Sequence, residues 1–393
     1  MRKVYLDNNA TTPLHPEVKQ AMIESMDLFG NASSIHYYGQ EARKAVDEAR
    51  KKVATLLNAG TEEIIFTSCG SESNNLVIKG VTCQDVYCKP DGAHPGKHII
   101  TSQIEHPSVM SPIRTLERQG FKITWLPVDQ SGLVDPDLVK KAITKQTVLI
   151  TVMAANNEIG TVEPIAEIAK TARENDVYFH TDAVQAVGKM KVDVKELGVD
   201  FLSFSGHKLY APKGVAAVYI RKGVFVCPTL QGGHQERGLR GGTENNLGII
   251  ALGKACEVAM QNREKEVPKI WKLREKLRKG ILGKIPEVMI NGHPEKIIPN
   301  TLSVTFKYIE GESILLRLSA EGIAVSTGSA CASGSLEPSH VLLAIGLPHE
   351  HAHGTIRFSL GIENNEEDID YTLGVLPRVI QELREMSPLW ARK

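Results

Sequence analysis

The strongest constraint on the fold is a regular alternation between residues 60 and 220. Short apolar runs there are separated by stretches with helical spacing. Ile64-Ile65-Phe66, His98-Ile99-Ile100, Val148-Leu149-Ile150-Thr151-Val152, Val177-Tyr178-Phe179, Phe201-Leu202 and the run Val215–Ile220 read as buried strands. Just upstream, Glu41–Leu57 sets Ala42, Val46, Ala49, Val53, Leu56 and Leu57 on one helical face, and Pro164–Asn175 and Val184–Leu197 read as helices between strands. Strands alternating with helices predict an α/β fold: a mostly parallel sheet covered by helices. After about residue 260 the pattern changes. A charged helix at Arg263–Gly280 is followed by strands at Thr301–Phe306, Ile323–Val325 and Thr355–Leu360, with helices at Glu312–Leu318 and Glu367–Met386. This is the pattern of a smaller α+β unit. The expected division is a large domain of residues 15–260 and a small one of 1–14 with 261–393, in line with 393 residues at about 150 per domain.

Charge and cysteine content narrow the function. Lys and Arg total 46 against 46 for Asp and Glu, so the basic footprint of a nucleic-acid binder is missing. No apolar run approaches the ~20 residues of a membrane helix, and no leader is readable at the N-terminus. A cytoplasmic protein without membrane or nucleic-acid partners is expected. Six cysteines in so long a chain do not make a disulfide framework, so each is a small buried hydrophobe or a reactive thiol.

Three patterns imitate motifs. Gly92 to Lys97 has three residues between its glycines, where a phosphate loop needs four. His349-Glu350-His351-Ala352-His353 matches a zinc motif that works only on a helix, and Pro348 and Gly354 leave it no room to form one. Cys83, Cys88, His94 and His98 are spaced too tightly for a zinc finger. No resident metal is expected.

One constellation carries chemistry. Lys208, in Ser205-Gly206-His207-Lys208, follows the apolar run ending at Phe204, and Asp182 closes another run. Parallel strands deliver their C-terminal ends to the edge where α/β ligands bind. A pyridoxal phosphate site needs this pair: a lysine for covalent attachment and a carboxylate on the pyridine nitrogen. Thr67-Ser68-Cys69-Gly70-Ser71 opens a helix at Asn74–Lys79, and hydroxyls with free N–H groups there form an anion site. His106 supplies an imidazole, and Asn156 and Asn157 supply amides, each after its own strand.

Several stretches together resemble the pyridoxal-phosphate cysteine desulfurases of the NifS/IscS type, in the class V aminotransferase group. They are Tyr5-Leu6-Asp7-Asn8-Asn9-Ala10-Thr11-Thr12, Ala155-Asn156-Asn157-Glu158, His180-Thr181-Asp182-Ala183-Val184-Gln185, Ser205-Gly206-His207-Lys208, Arg237-Gly238-Leu239-Arg240-Gly241-Gly242-Thr243 and Ser326-Thr327-Gly328-Ser329-Ala330-Cys331. Leu336-Glu337-Pro338-Ser339-His340 and Ala352–Ser359 resemble the NifS branch more closely. Ser71 stands where the family often has Thr, Ala32 where Pro is usual, and Ala155 where some members carry an aromatic.

The resemblance implies fold type I and a homodimer. It implies that Lys208 bonds the cofactor, Asp182 meets the pyridine nitrogen, Gln185 donates to the ring hydroxyl and His106 stacks on the ring and moves protons. Gly70, Ser71, Ser205 and His207 would bind the phosphate, with Thr243 of the other subunit. Asn157 and Arg357 would hold the substrate carboxylate, and the positive charge that matters would lie in Lys208, His207 and Arg357. Cys331 would be the nucleophile, taking sulfur from L-cysteine as a persulfide and leaving L-alanine. Small residues crowd both sides of Cys331, the composition of a mobile loop, whereas Cys69 and Cys256 read as packed thiols. The sulfur would pass to an iron–sulfur scaffold or another acceptor protein, in housekeeping supply or nitrogen fixation, and Cys331 would ligate cluster iron at most transiently. The alternatives are a selenocysteine lyase, a class V aminotransferase, or a non-catalytic scaffold subunit. Lys208, Asp182 and Cys331 are all present, which speaks against the last.

Overall fold

The computed structural model describes residues 2–83, 96–327 and 337–390. Seven strands form the main sheet, in the order Ile64–Thr67, Ala216–Ile220, Phe201–Ser205, Tyr178–Asp182, Thr147–Thr151, His98–Ser102 and Lys122–Leu126. Six run in one direction. Ala216–Ile220 alone is reversed, antiparallel to both of its neighbours. The mostly parallel α/β sheet expected from the alternation is present, and all its strands but the edge strand Lys122–Leu126 are buried almost throughout, as in a sheet covered on both faces by helices.

A second, antiparallel sheet joins Ser326–Thr327, Thr355–Ser359, Thr301–Phe306 and Val288–Asn291. Near it Val4–Tyr5 pairs in parallel with Ile323–Ala324, so the N-terminal segment lies against the C-terminal third of the chain. Each sheet has its own apolar core. One gathers Val46, Val53, Ile150, Phe179, Phe204 and Leu252; the other gathers Leu6, Leu277, Phe306, Phe358 and Leu376.

The structure redraws several elements. The charged helix expected at Arg263–Gly280 is the second half of one 39-residue helix, Asn246–Lys284, whose first half packs in the first core and whose second half packs in the second. Val184–Leu197 is helical only over Val194–Leu197: Gly188 holds φ at +83°, outside the helical range, and Asp193 caps the helix by accepting from the N–H groups of Lys195 and Glu196. His349–His353 does form a short helix, contrary to expectation. Pro348 sits at its N-cap, where a missing N–H costs nothing, and Gly354 ends it, so one turn fits between them. Among the described residues no three His, Cys, Asp or Glu side chains form a metal-binding group, and no helix is long and apolar enough to cross a membrane.

Candidate active site

Five main-sheet strands end at the same edge, and each hands a turn to one cavity of ≈ 480 Å³. Ile64–Thr67 leads to Cys69, Gly70 and Ser71. His98–Ser102 leads to His106 and Ser108, and Thr147–Thr151 leads to Met153, Asn157 and Glu158. Tyr178–Asp182 delivers Asp182 and Gln185; Phe201–Ser205 delivers Ser205, His207 and Lys208. Arg357 enters from the second sheet, and Asn9 and Ala10 from the N-terminal segment. All the expected site residues line this cavity except two. Thr243 is exposed and outside it, and Cys331 lies beyond the described residues.

The helix after the first turn is Gly70–Val81, four residues longer at its start than expected, so Gly70 and Ser71 stand in its first turn. Cys69 at the N-cap makes no side-chain capping bond, which leaves first-turn N–H groups free for an anion. Beside them the buried Ser205 Oγ has no hydrogen-bond partner. A Cβ on Gly70 would stand 3.0 Å from Val184 and 3.5 Å from Ser205, so the absence of a side chain keeps this corner open. An uncapped helix start with an unpaired hydroxyl fits a phosphate. Cys69, expected to pack, is exposed instead, because the N-cap position lies past the sheet edge. Cys256 does pack, and burial pushes its thiol pKa up.

Asp182 is buried, and both carboxylate oxygens already accept: Oδ1 from Val184 N–H at 3.0 Å and Oδ2 from Asn74 Nδ2 at 2.7 Å. Each oxygen keeps a lone pair for a further donor, such as a ring N–H⁺. His106 Nδ1 accepts the Ser108 N–H at 3.1 Å, and its pKa is held below the usual imidazole value by burial, against the pull of Asp182 and with the push of Lys208 and His340. His207 differs from expectation. Burial, and then Lys208, Lys213 and Lys189, bring it down to about 4, so it is a neutral donor or acceptor at pH 7 rather than a cation. Apart from the histidines, the basic side chains that line the cavity are Lys208 and Arg357.

Lys208 follows the strand directly, in the 3-10 turn Gly206–Lys208. Its Nζ donates to the carbonyls of Asn9 and, at 2.7 Å, Ala10. The Arg357 guanidinium is held on two sides: Nη1 donates to Asn157 O at 2.9 Å and Nη2 to Asp7 Oδ1 at 2.8 Å. Its buried Nε has no hydrogen-bond partner, and the guanidinium lines the cavity, as a group that recognises a carboxylate would. Facing it, Glu158 accepts from Ser339 Oγ and is pushed up to about 7 by burial, with Ser339 and Arg357 pulling the other way.

Several of these groups carry no local signal of function. Asn74 and Ser108 are polar residues inside helices. Asn9, Glu158 and His340 lie in stretches that resemble the family, yet their own side chains gave no reason to assign them a task. Asp7 is legible only as the partner of Arg357, 350 residues away.

A lysine, a buried carboxylate and an uncapped helix start at the C-terminal edge of a mostly parallel sheet are the parts that a pyridoxal-phosphate enzyme of fold type I brings together. The comparisons agree. The family Aminotransferase class-V matches residues 4–372. The "Cysteine desulfurase IscS" of Dictyoglomus turgidum is 54% identical over 388 residues, spanning 98% of this chain and 97% of that protein. That of Methanosarcina thermophila is 53% identical over 389 residues, spanning 99% and 94%. A solved "NifS-like protein" superposes with a TM-score of 0.89 at 38% identity, covering 97% of this chain and 100% of the other. The chain belongs to the class V aminotransferase family and, within it, to the cysteine desulfurases of the NifS/IscS type. Its cofactor is pyridoxal 5′-phosphate.

Proposed function

We propose that this enzyme takes sulfur from L-cysteine, releases L-alanine and holds the sulfur as a persulfide on Cys331 for an acceptor protein in iron–sulfur cluster assembly. The observation that carries this reading is the meeting of Lys208, Asp182 and Arg357 in one cavity. In the overall step, L-cysteine and the Cys331 thiol become L-alanine and the Cys331 persulfide, so atoms and electrons balance with no outside oxidant. The bound cofactor supplies an electron sink.

The chain's own residues supply the rest. Gly70, Ser71, Ser205 and His207 bind the phosphate, and Thr243 reaches it from the second subunit of a homodimer. Asp182 holds a proton on the pyridine nitrogen, Gln185 donates to the ring hydroxyl, and His106 covers the ring. Lys208 Nζ moves the substrate Cα proton, with His106 as a second proton carrier. Asn157 and Arg357 orient the substrate carboxylate. The division of the chain at about residue 260, a cytoplasmic setting and the absence of membrane and nucleic-acid partners belong to the same reading.

Replacing Arg357 by Lys keeps the charge and loses the fork, together with the bond to Asn157 O or to Asp7. The KM for L-cysteine is expected to rise about 10- to 100-fold, the span of one or two charge-assisted bonds. Steady-state kinetics with an unmoved KM would remove Arg357 from substrate binding. The whole reading is tested by incubating the purified enzyme with L-cysteine and a thiol acceptor. Alanine and released sulfur should appear one to one, and no alanine would refute it. L-selenocysteine in a parallel assay separates it from a selenium-specific lyase, which would turn over that substrate alone.

A further inference from the structure

The stretch Tyr5–Thr12 resembles the family, yet the desulfurase reading gives Asn9 no task. Asn9 is 1% exposed and its side chain is fully satisfied. Nδ2 donates to Thr301 Oγ1 at 2.7 Å and to Asn157 O at 3.1 Å. Oδ1 accepts from Lys189 Nζ at 2.9 Å and Asn300 Nδ2 at 3.0 Å. Asn157 O can only accept, so the amide cannot be turned over without setting acceptor against acceptor. The main chain is engaged as well. Asn9 N donates to Ser359 Oγ at 2.9 Å, and Asn9 O accepts from Gln185 Nε2 at 3.1 Å and from Lys208 Nζ.

Three of these contacts reach residues assigned to the reaction: Lys208, Gln185 and Asn157, the last bonded in turn to Arg357. Of the others, Thr301, Asn300 and Ser359 anchor Asn9 to the second sheet and its approach, and Lys189 Nζ also donates to Gln185 Oε1. A turn carries Ala10 N back to Asp7 O at 3.0 Å, and Ala10 O also accepts Lys208 Nζ. Downstream, Thr12 N and Oγ1 both donate to His207 O, at 2.9 and 3.0 Å, which laces the segment to the turn that bears Lys208. Two successive carbonyls therefore meet the lysine amine, and one buried amide sets where they stand.

We propose that Asn9 is a positioning residue: its carbonyl and that of Ala10 hold the Lys208 amine in place whenever it is not bonded to the cofactor, and its side chain ties this hold to the substrate side at Asn157 and Arg357. During turnover the lysine leaves the cofactor as substrate arrives. A free lysine side chain loses up to ~2 kcal/mol of rotamer entropy on ordering, so an unheld amine would spend most of its time away from the substrate Cα. The carbonyl pair keeps it ordered for the proton transfer. The inference rests on the proposed role of Lys208 as the group that moves that proton.

The test compares the full-length enzyme with Asn9→Ala, Thr301→Val and Thr301→Ser. Thr301→Val removes the acceptor that orients the Asn9 amide at almost unchanged volume, and covers the case in which Asn9→Ala fails to fold. Thr301→Ser restores the hydroxyl. A displacement of about 1 Å costs a well-aligned step up to ~10²-fold. The kcat of Asn9→Ala should fall about 100-fold and that of Thr301→Val about tenfold, with KM for L-cysteine within about threefold and Thr301→Ser close to wild type. The primary isotope effect with Cα-deuterated L-cysteine should rise in both impaired variants, because proton transfer becomes limiting; lost stability alone would not raise it. A second readout needs no substrate. Cofactor-free protein is mixed with pyridoxal phosphate and the growth of the visible band is followed, and capture by Asn9→Ala or Thr301→Val should be several-fold slower than by wild type. A folded Asn9→Ala, or failing that Thr301→Val, with wild-type isotope effect and capture rate would overturn the proposal. If wild type captures the cofactor yet makes no alanine, the desulfurase reading fails instead, and the capture rates still decide on Asn9.

Discussion

Lys208→Ala is expected to lose the cofactor's visible absorbance after dialysis and to lower alanine production by about 10³-fold or more, the scale of removing a nucleophile that is also a proton carrier. The structure says why the loss would report chemistry rather than unfolding. Lys208 belongs to a 3-10 turn whose backbone is fixed independently of its side chain: Gly206 N–H donates to Val215 O and Leu209 N–H to Gly206 O. Of the two carbonyls that meet the amine, Asn9 O keeps a partner in Gln185 Nε2, so the cost falls mainly on Ala10 O. One lost bond of this kind costs about 1–2 kcal/mol, and the melting temperature should fall by only a few degrees. Lys208→Arg is the sharper control. It keeps a cation beside the same carbonyls, but a guanidinium is not a nucleophile at neutral pH, so it should fail as completely as alanine. An alanine variant that kept the band and the turnover would remove Lys208 from the centre of the mechanism.

How far the site could be read from sequence depended on whether a residue's task follows from its place on a strand. Lys208, Asp182, His106 and Asn157 follow apolar runs closely, and parallel strands bring such positions to one edge whatever the details of packing. Those residues were legible, and so was the anion-binding turn around Gly70, though the helix it opens begins four residues earlier than the sequence pattern suggests. The direction of Ala216–Ile220 was not, because a short apolar run reads the same either way. The break at Gly188 was not, because a glycine tolerates a helix as well as a positive φ. Charge at His207 was misread, since the sequence shows an imidazole but not the burial and the three lysines that neutralise it. The supporting groups were the least legible. Asn9 meets Lys208 across 199 residues and Asn74 meets Asp182 across 108, and no local periodicity encodes such pairs.

Cys331→Ser should leave cofactor binding intact and abolish alanine release, with less than about 1% of wild-type turnover remaining, because a serine hydroxyl at neutral pH is a far weaker nucleophile than a thiolate and cannot hold a persulfide. Cys331 itself lies outside the described residues, but both approaches to it are fixed at the cavity. On one side Ser326 and Thr327 pair with Arg357 and Ile356. On the other, Glu337, Pro338, Ser339 and His340 line the cavity wall, and Ser339 Oγ is bonded to Glu158. Cys69 offers the rival, since it is the cysteine that lines the cavity among the described residues. The two separate cleanly by mass spectrometry after a single turnover: one added sulfur should map to the peptide of Cys331. Finding it on Cys69, with Cys331→Ser still releasing alanine and Cys69→Ser inactive, would reverse the assignment.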